Sequence, residues 1–196
     1  MNDQQFDKLK ETVMKMLREK LPRNLFYHCP EHTLDVIDAV ERIAIAEHCN
    51  PGEIILLKTA ALFHDTGYIR DMREHEKHGC DIATEMLAAI PVDAKQVNVI
   101  CLLIMATKVP QMPASKLEEI ICDADLDYLG RDDYFPIAEN LHREFKAYEK
   151  IKDEKDWMQL QLNFLQSHKY FTPTCIHLRQ PGVNSNIKKI REAVEN

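Results

Sequence analysis

Between Ile54 and Phe63 only Lys58 and Thr59 interrupt an otherwise apolar run. At helical spacing such a run leaves almost no polar face, so it belongs at the centre of a bundle with other helices packed around it. The run ends in His64-Asp65-Thr66-Gly67. A histidine and an aspartate adjacent in sequence diverge along a helix, but at a helix end the last turn and the loop can aim both at one point. Unpaired carbonyls give that end partial negative charge, which favours a cation. Mixed nitrogen and oxygen donors suit a divalent transition metal. On its own the dipeptide is a weak signal, and its weight depends on what else the bundle turns inward.

Helical periodicity governs the remaining 196-residue chain, with no repeat and almost no strand signal. Phe6, Leu9, Val13, Met16 and Leu17 line one face of a first helix that ends near Pro22, and Leu21 to Pro30 reads as a loop. Pro30 suits the first turn of a helix carrying Val36, Val40 and Ile43 inward, stopped by Asn50-Pro51-Gly52. After the central helix a fourth is expected from about Arg73 to Ile90, and a fifth from Asp93 to about Ala106. Pro110 and Pro113 break the chain, Ser115-x-x-Glu118 opens a sixth helix as a capping box, and Gly130 ends it. Two amphipathic helices follow near Asp133–Ile151 and Glu154–His168. The segment Pro173 to Gly182 then leads to a short terminal helix. The expectation is an all-α, compact multi-helix bundle: one domain over 1–196, with a core of about 25–132 and additional C-terminal helices over about 133–196.

Composition narrows the function. A net charge of -7 excludes nonspecific binding of nucleic-acid polymers, which requires basic surface to displace counterions. The six cysteines form no Cys-x-x-Cys pair, and several lie among apolar helical residues, so reduced thiols in a cytoplasmic protein are expected. No apolar run reaches the length of a membrane span, and the acidic N-terminus does not read as a signal peptide. A homo-oligomer is compatible with the amphipathic C-terminal helices.

A metal site inside a bundle shows itself as acids and imidazoles on apolar stripes, where an unneutralised charge would be costly. His32 shares a face with Val36, Ala39 and Ile43. His64 follows Leu57, Ala60 and Ala61. On the sixth helix Leu117, Ile121, Ala124 and Tyr128 form the stripe, and Asp125 falls about 40° from Ile121, whereas Asp123 falls about 200° away and Asp127 is displaced. His75 and His78 precede Ile82 and Met86 at helical spacing and are expected to point to the core. A lone inward histidine is more often a core residue satisfied by a carbonyl, and a lone inward aspartate more often a cap or a partner of arginine. Four such residues from separate segments are hard to explain one by one.

These residues and several flanking segments resemble the HD superfamily of metal-dependent phosphohydrolases. The resemblance rests on His32 within Tyr27-His28-Cys-Pro-Glu-His32-Thr, on His64-Asp65, and on Asp125 within Asp-Ala-Asp-Leu-Asp-Tyr-Leu-Gly. His75-Glu76, Ala106-Thr107-Lys108-Val-Pro-Gln111, Gly130-Arg131-Asp132-Asp133 and Ser167-His168-Lys-Tyr-Phe-Thr172 are similar to one bacterial subgroup. The match covers roughly residues 25 to 180. It implies His32, His64, Asp65 and Asp125 as ligands of a divalent metal cation, in agreement with the face assignment. Binuclear members carry a further histidine where this chain reads Met105-Ala-Thr107-Lys108. The expected centre is therefore mononuclear, with a second ion at Asp65, His75 or His78 as the alternative. Manganese or iron suits two imidazoles and two carboxylates best, with zinc, nickel, cobalt and magnesium as alternatives.

The resemblance implies hydrolysis of a small phosphorylated substrate, a phosphate mono- or diester and plausibly a nucleotide, by attack of metal-bound water. Asp65 would ligate and accept a proton, while His75, Glu76 and His78 would orient the water or protonate a leaving oxygen. Lys108 is the candidate for neutralising phosphate, its bland alternative being a solvated lysine. Arg131 reads as a substrate contact or as the partner of Asp132 or Asp133. Tyr27 and His28 read as pocket walls or packing residues. Two other classes compete: a non-catalytic metal-containing sensor of a nucleotide or signal, and di-iron oxygen chemistry. Tight binding without turnover would mark the first, and dependence of turnover on oxygen the second.

Overall fold

A computed structural model describes residues 1–195, with the side chain of Glu195 left aside. Among these residues every regular element is helical and no strand occurs. The helices are α1 (Asp3–Lys20), α2 (Pro30–Ala46), α3 (Pro51–Phe63), α4 (His75–Leu87), α5 (Ala94–Ala106), α6 (Lys116–Asp125), α7 (Tyr134–Ala147), α8 (Glu154–Ser167) and α9 (Pro173–Glu195). Short 3-10 turns at Thr66–Ile69 and Asp127–Gly130 follow α3 and α6.

As its composition requires, α3 is the central helix, packed against α1, α2, α5 and α6. Leu57, Ala60, Ala61, Leu62 and Phe63 are fully buried. Asn50-Pro51-Gly52 starts this helix rather than merely stopping α2. The Asn50 side chain accepts from Glu53 N, the Glu53 carboxylate accepts from Asn50 N, and Pro51 occupies the first turn. In α1 the fully buried residue is Met14 and not Met16, because the neighbouring helices wrap further round it than the stripe suggests.

At the far end of α3 the chain turns sharply into the first 3-10 turn. Thr66 Oγ1 donates to Phe63 O at 2.8 Å. Gly67 permits the turn, since a Cβ there would collide with the backbone of His75 and Gly79. This tight contact of turn and α4 fixes where Asp65 and His75 sit relative to each other.

Several expected boundaries move. Glu74 adopts a left-handed conformation (φ 53°), so α4 begins at His75 rather than Arg73, and Glu149 (φ 53°) likewise ends the run of α7 before Ile151. The sixth helix does not run to Gly130: it stops at Asp125, and Leu126 (φ -108°, ψ 17°) redirects the chain into the second 3-10 turn. The expected Pro–Gly break before a short terminal helix is also corrected, because Pro173–Glu195 is one 23-residue helix. Pro181 is tolerated on an exposed side that it shares with His177, whose freed carbonyl can meet water. Gly182 lies against Gly130 so closely that a Cβ on either would strike main chain. Helix α9 therefore clamps the second 3-10 turn.

All six cysteines are free; Cys122 and Cys175 are buried and the other four are half-buried. No described helix is long and apolar enough to cross a membrane.

Candidate metal centre

Three helices deliver the donors. His32 comes from the first turn of α2, His64 from the C-cap of α3, and Asp125 from the last residue of α6. Their ligand atoms lie within 4.8 Å of one another. His32 Nε2 and His64 Nε2 are 3.3 Å apart, and Asp125 Oδ1 is 3.3 Å from the first and 3.4 Å from the second. Asp65 joins from the turn: its Oδ2 is 3.2 Å from His64 Nε2 and 3.6 Å from His32 Nε2. All four residues are buried or nearly so.

Two observations bear on whether a cation fits. Asp65 Oδ2 is buried with no hydrogen-bond donor aligned on it, a costly arrangement for a carboxylate oxygen unless something else neutralises it. His64 Nδ1 lies 2.8 Å from the Ala61 carbonyl, which can only accept, so Nδ1 donates there and Nε2 is the atom turned toward the other three side chains, free to offer a lone pair to an ion. Separations of 3.2–3.6 Å are close to the ~3 Å between adjacent donors around an ion with ~2.1 Å bonds. The donor set fits a divalent ion.

The electrostatics agree. Burial disfavours charge on His64, but Asp65 and Asp125 outweigh it and hold its pKa well above the ordinary imidazole value. Burial pushes Asp65 up, and the imidazoles of His64, His28 and His32 more than reverse this, leaving its pKa far below the carboxylate range. Asp125 is likewise lowered: burial opposes its charge, and hydrogen bonds from His32 and His64 prevail. Protons shared among imidazoles neutralise the carboxylates here, a task a divalent cation would take over while displacing them.

A cavity of about 430 Å³ opens over this group, and Asp65, His75, Glu76, Lys108 and Asp125 all line it. His75 Nε2 is 3.5 Å from both Asp65 Oδ1 and Glu76 Oε1, and its ring stacks on Tyr68 with centroids 4.1 Å apart. His78 is not brought to this cavity: Glu76 and Gly79 take the inward face of α4, and His78 Nδ1 lies 3.9 Å from Asp81. Arg131 is occupied by Asp35 at 2.8 Å and Asp133 at 2.8 Å, not by the cavity. Asp123 and Asp127, turned away from the stripe, are buried all the same. Asp123 accepts from Phe171 N and from Thr172 N and Oγ1, and Asp127 binds Arg42 at 2.8 Å and Arg179 at 2.7 Å.

Tyr27 and His28 both line the cavity. His28 is held by Glu144 of α7, which accepts from the main-chain N–H of Tyr27 and His28 and lies 2.5 Å from His28 Nδ1. Burial opposes charge on His28, yet Glu144 and the nearby aspartates raise its pKa. The sequence reading omitted Glu144 and Tyr68. A signal for Glu144 existed: an acid three residues after Leu141 shares the inward side of α7.

The HD domain family model matches residues 31–129, half of the chain, and the chain belongs to that family. The matched stretch contains His32, His64, Asp65 and Asp125. Among solved structures, Bacillus subtilis YpgQ in complex with ADP is similar, with a TM-score of 0.61, 14% identity and 96% of each chain covered. No curated protein matches the chain.

Proposed function

We propose that this chain is a metal-dependent phosphohydrolase that cleaves a phosphate mono- or diester, with nucleotides as the first substrates to examine. The observation that carries this reading is the convergence of His32, His64, Asp65 and Asp125, with an unpartnered buried oxygen, where Asp65 and Asp125 open onto a cavity that Lys108 also lines. Members of the HD family are generally metal-dependent phosphohydrolases, and the similar fold of YpgQ was solved with ADP.

Those four side chains would hold one divalent ion, which supplies Lewis acidity toward a phosphoryl group and toward water. Asp65 Oδ1, 3.5 Å from His75 Nε2, is placed to accept the proton of an attacking water. His75 Nδ1 lies 3.3 Å from the Met72 carbonyl, which fixes its proton there and leaves Nε2 toward Asp65 and Glu76. Glu76 steadies that ring. Lys108, exposed at the end of α5, meets a non-bridging phosphate oxygen and screens the carboxylates from it. His28, oriented by Glu144, lines the same space with its ring 6.4 Å from that of His75 and can protonate the departing oxygen.

Phosphate release from a panel of esters, with each of several divalent metals, tests the reading. Asp65→Ala should lower turnover by about a hundred-fold or more while circular dichroism stays native. Ligand binding with no release under any metal would overturn it.

A further inference from the structure

Beyond the metal-binding end, the cavity continues into an arm whose walls lie outside the matched family segment. Tyr134, Leu141, Phe145, Trp157, Leu160 and Phe164, all from α7 and α8, line it. We infer that this α7–α8 arm selects the substrate: it receives a flat aromatic body carried on a single phosphate, and disfavours polyphosphates. The inference rests on the phosphohydrolase reading for the position of the phosphate, and on the arm alone for the body.

Three observations carry it. The arm is apolar and rich in rings, the surroundings in which an aromatic system gains both burial and edge or face contacts. Two polar side chains interrupt it: Lys150 Nζ lies 5.1 Å from the centre of the Phe145 ring, and Gln161 Oε1 accepts from Tyr134 Oη at 2.9 Å, which leaves the Gln161 amide N–H groups to donate to an acceptor on a ring edge. Charges are sparse for a chain of phosphates. With Asp65 and Asp125 taken up by the ion, Glu74 and Glu76 line the cavity against Lys108 and Lys150, and no arginine lines it among the described residues. One phosphate beside a divalent ion and Lys108 is matched. Added phosphates have only Lys150 to meet them, against Glu74 and Glu76, and no guanidinium fork.

The protein contains its own reporter, because Trp157 is its single tryptophan and lines the arm. Its fluorescence should be followed while the purified protein is titrated with adenosine 5′-monophosphate, adenosine 5′-triphosphate, octyl phosphate and glycerol 3-phosphate, and phosphate release should be measured on the same four. The expected result is a change in Trp157 emission with the monophosphate, binding about ten-fold weaker or worse for the triphosphate and for octyl phosphate, and no change with glycerol 3-phosphate. Leu160→Glu, at a position 37% exposed and so tolerant of substitution, should weaken monophosphate binding by about ten-fold with the fold intact. Equal or tighter binding of the triphosphate, equal binding of octyl phosphate, or a silent Trp157 would each overturn the inference. Phosphate release from any ester with Trp157 silent would leave the hydrolase reading standing and remove the arm. A Trp157 response without release would do the reverse.

Discussion

His168 was conspicuous in sequence only as part of a motif, and in the structure it is a half-buried base whose Nε2 is shut off from solvent. Its ring lies between Phe164 and Tyr170, its Nε2 has no partner, and burial pushes its pKa down from 6.5 to about 4. A folded-state pKa below the unfolded value means that the unfolded chain binds a proton the folded one refuses. Stability from this group is therefore full above about pH 6.5 and falls as the pH drops toward 4, by roughly 3 kcal/mol as an order of magnitude. Denaturant titrations across that range should show the decline, and His168→Gln should flatten it. Of the three acids at the end of α6, Asp125, the one the face argument nominated, lies beside His32 and His64, because one stripe of α6 faces α2 and α3. What it could not show is that Asp123 and Asp127 are buried too, by residues some forty to fifty positions later. Helical phase gives a direction, but not what eventually covers it.

At the level of elements, helix starts with a side-chain cap were legible, whereas the starts of α4 and α9 and the end of α6 were not. Asn50 with Glu53, Asp93 with Gln96, and Ser115 accepting from Glu118 N all declare themselves through local hydrogen bonds. The second 3-10 turn, which follows α6, is set by tertiary contacts instead. Asp127, only 1% exposed at its side chain, gathers Arg42 from α2, Arg179 from α9 and Arg131 from the next loop, while Gly130 meets Gly182. Removing the acid strands partly buried guanidinium groups. Asp127→Ala should cost about 3 kcal/mol or more in chemical denaturation. Gly182→Ala, otherwise a helix-favouring change, should destabilise instead, since its Cβ meets the carbonyl of Gly130. A Tm at or above that of the parent protein would contradict the described packing.

At the level of the whole molecule, the helices after residue 133 read in sequence as additions, yet Thr172 just before α9 and Arg179 within it cover two acids of the core, and α7 supplies the carboxylate that holds His28. The chain is therefore proposed to unfold as one unit. A fragment ending at residue 132 should lack a cooperative thermal transition, because Asp123 would lose its donors from Phe171 and Thr172 and Asp127 would lose Arg179. An ion bridging α2, α3 and α6 would bind only the folded state. Saturating manganese should raise the unfolding midpoint, by about 2.7 kcal/mol in stability at a hundred times its dissociation constant, and Asp125→Asn should abolish the rise. The cavity wall has a dual origin, with one side drawn from residues 31–129 and the other from α7 and α8. Under the proposed function, the four metal-binding side chains and the walls that would choose the substrate therefore occupy different stretches of the gene. Mutation in α7 and α8 could then retune what is accepted while His32, His64, Asp65 and Asp125 pass down unaltered.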